Sequence, residues 1–174
     1  MPIVIIVEDG SNVAGANSYV SVADARTYAG NRGVDLSATD DDVAKLIFNG
    51  MDYIETKGCD YQGYPTNDDQ ELSWPRTGVS INCKDFPEDQ IPKQLIGALV
   101  QLVMAQHEGV EIFPNTSLTD LVTEETVGPI TTKYADVTRM GLTSVAPTLT
   151  AVDALLGPLI RSCGQVTGLM TVRV

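Results

Sequence analysis

The segment Pro92–Val103 reads PKQLIGALVQLV and decides the fold of this 174-residue chain. Proline is common in the first turn of a helix, where its missing N–H has no intrahelical partner to lose. Apolar side chains then cover nearly every side of the helix: Leu95, Ile96, Leu99, Val100, Leu102 and Val103. A helix that is apolar all round is buried among neighbours. Residues 92–108 therefore predict the central helix of a small, mainly α-helical bundle.

Two further helices are predicted before this segment, and each begins with a capping signal. Ser21 can cap a helix over about 22–31, with Asp24 in the capping-box position. A second helix is predicted to end at Gly58, and the stretch 37–42 places a capping residue and acids at its start, where they suit the helix dipole. Its buried face follows a helical period: Val43, Leu46, Ile47, Met51 and Ile54. A short fourth helix is predicted over 151–156, ending near Gly157 and Pro158.

Other segments have β character. The β-branched run Ile3–Val7 predicts a strand that pairs within the chain or with another chain. Leu118–Thr126 and Thr131–Ala135 predict β-segments or a hairpin over about 118–135. Between the helices, residues 59–90 form an irregular stretch whose length is unusual unless it has a function. We expect a helical domain over 1–160, carrying this N-terminal strand and hairpin insertion.

The C-terminal residues 161–174 are predicted to form an extended arm, because Leu169–Val174 alternates as a β-strand does. Such a strand would be an aggregation hazard if it stayed exposed in a monomer. Two alternatives remain open for it. It can pair with Ile3–Val7 of its own chain, or it can complete a sheet on a partner by strand addition.

The charge of the chain limits the classes of function. The formal net charge is -12 and the isoelectric point is about 4.2. Proteins that bind nucleic acid usually carry a basic surface that neutralises phosphates, and proteins that bind anionic membranes usually carry positive charge as well. The composition therefore disfavours both partners. We also expect no membrane span, no signal peptide, and three free thiols in a reducing cytosol at Cys59, Cys83 and Cys163.

No pattern in the sequence indicates catalysis. Nucleophile elbows, phosphate loops and dinucleotide fingerprints are all missing from the sequence, and His107 is the only histidine. Cys59, Cys83 and His107 do not have the spacing of a zinc site. The acidic stretch Asn67–Glu71 lacks the spaced ligands and glycine of a calcium loop. We expect no catalytic residue, no metal and no cofactor, and a protein that is not an enzyme.

Trp74-Pro75-Arg76 is the sharpest local feature of the irregular stretch. Trp74 either anchors this loop onto the helices, as a lone tryptophan commonly does, or belongs to an interface in which Arg76 contacts a neighbouring subunit. The two alternatives are compatible with each other, since one loop can be anchored by Trp74 and also contact a neighbouring subunit. The candidate interface with another subunit accordingly comprises two groups of residues: Trp74 and Arg76, with Leu169, Met170, Val172, Arg173 and Val174.

Several blocks, in order, resemble a known family. They are Ile5–Gly10, Ala16–Ser21, Leu72–Arg76, Ile91-Pro92 before the central helix, Val127–Ile130 with Tyr134, and Ala151–Leu156. Their order and spacing over about 150 residues are similar to tailed-phage head-tail adaptor proteins, part of which is labelled DnaT-like and single-stranded-DNA-binding. Residues beyond Pro158 match no pattern of that family.

The resemblance implies a structural protein of the virion neck, made in the cytoplasm of the bacterial host. It would form a homo-oligomeric, dodecameric ring that binds the portal protein and a tail-side neck or tail-terminator protein. DNA would be only passing cargo, because a pore lined by carboxylates repels phosphates. The alternative is a single-stranded nucleic-acid-binding module of phage replication, for which we would expect a basic groove with aromatic stacking platforms.

Overall fold

The computed structural model describes residues 3–36, 38–113, 124–127, 130–133 and 149–160. Four helices are present in these residues: α1 Val22–Gly30, α2 Asp40–Glu55, α3 Lys93–His107 and α4 Thr150–Ile160. Six short strands accompany them: β1 Tyr64–Pro65, β2 Arg76–Thr77, β3 Ser80–Ile81, β4 Lys84–Asp85, β5 Glu124–Val127 and β6 Ile130–Lys133. The predicted fold class, mainly helical with β-segments, is confirmed.

The chain divides into two compact units. The first, here called the helical core, comprises Met1–Gly109 and Leu149–Val174, and the second comprises Val110–Thr148. In the second unit β5 and β6 pair antiparallel, from Glu124 opposite Lys133 to Val127 opposite Ile130. This confirms the predicted hairpin, and the rest of the predicted segments, residues 118–123 and 134–135, lies outside the described residues.

The helix α3 lies at the centre of the helical core, as its apolar circumference predicts. It packs against α1, α2 and α4. Leu95, Leu99 and Leu102 are fully buried along it, and each such side chain stabilises the fold by about 1.5–3 kcal/mol. Pro92 stands at the N-cap position, one residue before the helix begins.

The caps of α1 and α2 show why these helices begin where they do. The Ser21 hydroxyl accepts a hydrogen bond from the Asp24 N–H at 3.1 Å, as predicted. Thr39 caps α2 in the same way, accepting from the Asp42 N–H at 3.3 Å. Three aspartates in the first turn of α2 face the positive end of the helix dipole.

The prediction that α4 ends near Gly157 and Pro158 was wrong. The helix continues to Ile160, and Leu159 is fully buried. Proline removes one N–H and usually ends a helix. Here Gln62 compensates at the C-terminus: its backbone N–H donates to the Leu159 carbonyl at 2.9 Å, and its side-chain amide donates to the Pro158 carbonyl at 2.7 Å. These bonds satisfy carbonyls that the last turn leaves without intrahelical partners.

The N-terminal run Ile3–Val7 forms no β-ladder with the other described residues. It is extended and makes an isolated parallel bridge there, between Val7 and Ser18, and its pairing with another chain stays a prediction. The reason is its partner, since residues 17 and 18 lie between a turn at 14–15 and a bend at 19–20 and offer too short an edge for a ladder. Two antiparallel hairpins in the irregular stretch, β1–β2 and β3–β4, were not predicted.

The cysteines differ from the prediction in one respect. Cys59 is a free, exposed thiol as expected, whereas Cys83 is disulfide-bonded. The expectation of three free thiols is therefore wrong for Cys83. Among the described helices, none has the length and apolarity needed to cross a lipid bilayer.

A matched pair of glycine substitutions tests the packing of α2 against α3. A Cβ on Gly50 would lie 2.9 Å from Leu99 Cδ1 and 3.4 Å from Leu102 Cβ, whereas a Cβ on Gly30 of α1 would meet nothing within 4 Å. We expect Gly50→Ala to lower the free energy of unfolding by about 1–2 kcal/mol, because it overpacks the contact. Gly30→Ala should raise it by about 0.5 kcal/mol. Urea unfolding of both variants measures this, and equal effects would contradict the close approach.

Candidate interaction site around the Trp74–Arg76 loop

Trp74 lies in the interior of the helical core. Its side chain is fully buried, and its ring makes edge-to-face contacts with Tyr61 and Phe86, with centroids 5.6 and 6.4 Å away. Its indole N–H has no hydrogen-bond partner among the described residues. The peptide bond from Trp74 to Pro75 is cis. These contacts support the alternative in which Trp74 anchors the loop.

Arg76 is also inside, with 6% of its surface exposed. Its guanidinium donates to three backbone carbonyls, those of Gln62 at 2.8 Å, Gly63 at 2.9 Å and Ser73 at 3.2 Å. Burial lowers the pKa of this guanidinium below its usual value of 12.5, but the group stays charged at neutral pH. The cation therefore joins both sides of the β1–β2 hairpin, and three of its five N–H donors are used within the chain.

The approach of the two hairpin strands is very close at Gly63. Its φ of +66° belongs to the left-handed region, and a Cβ there would lie 2.0 Å from the Thr77 carbonyl oxygen. Only glycine fits this backbone without displacing the opposite strand. The carbonyl that Gly63 presents to Arg76 depends on that geometry.

Glu55, near the end of α2, connects the loop to the N-terminal motif. One carboxylate oxygen accepts from the Tyr19 hydroxyl at 2.7 Å. The other accepts from the Ser73 N–H at 2.9 Å and from the Ser73 hydroxyl at 2.5 Å. The Tyr19 hydroxyl in turn accepts from the Trp74 N–H at 3.1 Å. Two sequence blocks 50 residues apart thus meet on one carboxylate.

A second carboxylate, that of Glu8, is buried and shapes the first turn. It is 3% exposed and accepts backbone N–H bonds from Gly10 at 2.8 Å, Asn12 at 3.0 Å and Val13 at 2.8 Å. A Cβ on Gly10 would lie 2.1 Å from the Asp89 carbonyl oxygen. The Glu8–Gly10 block therefore fixes the turn against the end of the irregular stretch.

The buried tyrosines of this network predict a loss of stability at high pH. Burial raises the pKa of both Tyr19 and Tyr61 above the usual 10.0, and the negative charge of Glu55 raises both further. Because each pKa is higher in the folded state, stability is unaffected below pH 10 and falls as pH rises above it. Urea midpoints on both sides of pH 10 measure this. Tyr19→Phe should show a shallower fall, and an unchanged slope would contradict the assignment.

Most described cations of the helical core are already engaged. Arg26 pairs with Asp40, and Lys45 lies 2.8 Å from Asp42. Arg32 lies over the Tyr28 ring, 3.4 Å from its centroid, and Lys57 lies 5.5 Å from that of Tyr53. With Arg76 buried, the cations that remain are Lys84 and Lys93.

Lys84 and Lys93 border one pocket of about 330 Å³ together with Phe86. Both lysines are exposed and Phe86 is half-buried. A larger cleft of about 520 Å³ beside the Trp74–Arg76 loop is instead lined by the carboxylates of Glu55, Asp68 and Glu71. In the part of the chain that the structure describes, no group of three or more His, Cys, Asp or Glu side chains could hold a metal ion.

The predicted interface residues separate into two groups. Trp74 and Arg76 are brought together inside the core. The other five lie outside the described residues, so their role stays a prediction: Leu169, Met170, Val172, Arg173 and Val174. Sequence reasoning missed Glu55 and Glu8, whose carboxylates organise the site. Glu8 falls within a family-like block, whereas Glu55 has no sequence signal beyond its place at the end of α2.

The fold and the site together define a small helical protein whose motif residues are used to build a scaffold, with an inserted hairpin unit and an acidic surface. Residues 3–174 match the model of a family described as "Putative DnaT-like ssDNA binding protein". The chain belongs to this DnaT-like family. No curated protein and no solved structure matched it.

Proposed function

We propose that this protein is a structural subunit that assembles into a ring through which DNA passes, as a head-tail adaptor does. The observation that carries the proposal is that the motif residues are buried and bond within the chain. Tyr19, Trp74 and Arg76 are all buried. The Trp74 backbone N–H bonds to the Tyr19 hydroxyl, and the Arg76 guanidinium bonds to backbone carbonyls of the same chain. Residues that are buried and bonded within the chain stabilise the fold and are not placed to take part in a reaction.

The charge of the protein favours a channel through which DNA passes and disfavours a surface that binds DNA tightly. The net charge is -12, and most described cations of the core are paired, stacked on tyrosine or buried. Carboxylates facing a channel repel phosphates and leave few sites at which DNA is held. The inserted unit Val110–Thr148, with its hairpin, supplies a separate element for contacts with neighbours in such an assembly.

Electron microscopy of the purified protein mixed with the portal protein of the same phage tests this proposal. We expect a ring on the tail-facing end of the portal. Absence of any association, under conditions in which the portal itself is assembled, would refute the adaptor function.

A second candidate function, binding of single-stranded DNA, is favoured by the description of the family. The comparison with known families supports this function better than it supports the ring. Within the described residues the surface that suits it best is the pocket of Lys84, Lys93 and Phe86. Two ammonium groups and an aromatic ring are the elements that single-strand binders combine, a charged track with a stacking platform. Asp85 lines the same pocket and weakens its potential for phosphates.

Salt-dependent binding to a labelled oligonucleotide separates the two functions. The DNA-binding function predicts an affinity that falls steeply with salt and is reduced more than tenfold in the double variant Lys84→Glu, Lys93→Glu. Lys45→Glu is the matched control, because Lys45 is exposed but already paired with Asp42. No binding at low salt would eliminate this function and leave the ring.

A further inference from the structure

Among the described residues, the extended segment Ile3–Val7 bonds along one edge to Asn17 and Ser18, and its opposite edge is used only at Ile3, whose N–H donates to the Asp41 carboxylate at 3.1 Å. The Ile6 N–H donates to the Asn17 side-chain oxygen at 2.8 Å, and the Ile6 carbonyl accepts from the Asn17 N–H at 2.9 Å. The Glu8 N–H donates to the Ser18 carbonyl at 2.8 Å. Because extended chain turns successive backbone groups to opposite sides, those of Ile5 and Val7 point away from this contact. Among the described residues, none hydrogen-bonds to them.

The open edge lacks the usual protection against strand pairing. Proteins normally blunt such edges with lysine, proline or a bulge. Ile3–Val7 contains none of these, and it exposes two apolar side chains, Val4 at 64% and Ile6 at 37%. Unpaired backbone groups beside exposed apolar side chains are the features that receive an added β-strand.

We propose that this edge receives Leu169–Val174 of a second copy of the chain as an added β-strand. The proposal rests on the ring function and names one contact between its subunits. Leu169–Val174 alternates as a β-strand does. Every second side chain of the added strand would therefore lie on the same face as Val4 and Ile6 and beside them. Backbone hydrogen bonds from Ile5 and Val7 would supply the pairing.

Charge supports this occupant. Residues 161–174 include Arg161 and Arg173 and no acidic side chain, although the chain as a whole is strongly acidic. The open edge lies between two exposed carboxylates, Asp9 after its end and Asp41, which accepts from the Ile3 N–H at 3.1 Å. A basic strand entering an acidic edge is steered and held by complementary charge.

The length of chain after α4 also suits a second copy. The helix ends at Ile160, and residues 164–168, which follow Cys163 and precede Leu169, alone span about 17 Å when extended. Gly164 and Gly168 lie in this linker and permit the sharp changes of direction that an exchanged arm needs. Exchange of an identical element between subunits costs little beyond such a linker.

Two full-length variants test the proposal by complementation. Ile5→Pro removes the outward N–H of the edge and leaves the inward bonds of Ile6 intact, and Val4 is extended, as a residue before proline should be. Thr171→Pro with Val172→Pro removes donors from both edges of the arm. Ile5→Val is the matched control that keeps the N–H. Circular dichroism verifies that the helical core of each variant is folded.

We expect the wild-type protein and Ile5→Val to self-associate with rising concentration in sedimentation experiments. Each proline variant alone should stay monomeric. Their mixture should form a one-to-one heterodimer, because one partner keeps an intact arm and the other an intact edge. A mixture that remains monomeric would overturn the proposal, as would a wild-type protein that stays monomeric over the same series.

Pairing of the arm with its own chain gives a different result. The double proline variant would then lose thermal stability as a monomer, and mixing would produce no heterodimer. The adaptor function is tested separately by portal binding of the wild-type protein. Portal binding without complementation would refute the strand addition alone, whereas complementation without portal binding would refute the adaptor function alone.

Discussion

Replacing Trp74 with alanine is expected to lower the free energy of unfolding by about 3–5 kcal/mol, the largest effect of any single truncation in the loop. The side chain is fully buried, and its removal also ends the edge-to-face contacts with Tyr61 and Phe86. No polar partner of the indole is lost among the described residues, so the loss reports burial and packing. The cavity left behind adds to the cost because the helices around it relax only partly.

Urea unfolding followed by circular dichroism measures this change. Tyr64→Ala is the matched control, because Tyr64 is an aromatic residue of the same loop that is 77% exposed. We expect it to change stability by less than about 0.5 kcal/mol. If Trp74→Ala were as mild as its control, Trp74 would not anchor the loop, and an interface role for its ring would gain support.

Replacing Glu55 with alanine is expected to lower the free energy of unfolding by about 3 kcal/mol. The substitution leaves the Tyr19 hydroxyl and both donors of Ser73 without their acceptor. Each buried donor left unpaired costs about 1–3 kcal/mol. Because the same carboxylate joins α2, the N-terminal motif and the loop, the effects of losing these bonds should not be independent.

Two matched variants distinguish the hydrogen bonds from the charge. Glu55→Gln keeps one acceptor oxygen and should lose less stability than Glu55→Ala. Glu71→Ala removes an exposed acid from the same cleft and should have little effect. Chemical denaturation of the three proteins decides the matter, and similar losses in Glu55→Ala and Glu71→Ala would disprove the bridging role.

The helical part of the fold was predictable because local signals and burial agree there. Ser21 caps α1 as its sequence context predicts, and the apolar circumference of α3 correctly places it at the centre. The end of α4 was not predictable. Pro158 breaks helices by local rules, and the contact of Gln62 with the last turn, made across 96 residues of sequence, together with the burial of Leu159 favours continuation of the helix.

The candidate site was predicted in its residues but not in its organisation. Trp74 and Arg76 stand out by type and spacing, yet their burial depends on Glu55 and Gly63, which are ordinary residues in the sequence. A buried carboxylate cannot be told from a solvated one by composition in a chain with 23 acids. Hydrogen bonds of the folded chain, local for Glu8 and long-range for Glu55, decide which acids are structural, and neither kind follows a helix or strand period in the sequence.

The packing of α3 against α4 has a consequence for which part of the chain tolerates insertions and deletions. The two helices belong to one core, although residues 110–148 separate them in sequence. The entropy of closing such a connection varies slowly with its length, by about 0.6 kcal/mol for each doubling. The segment between the helices can therefore be lengthened, shortened or exchanged while the core keeps its stability, which leaves that segment free to acquire new binding partners.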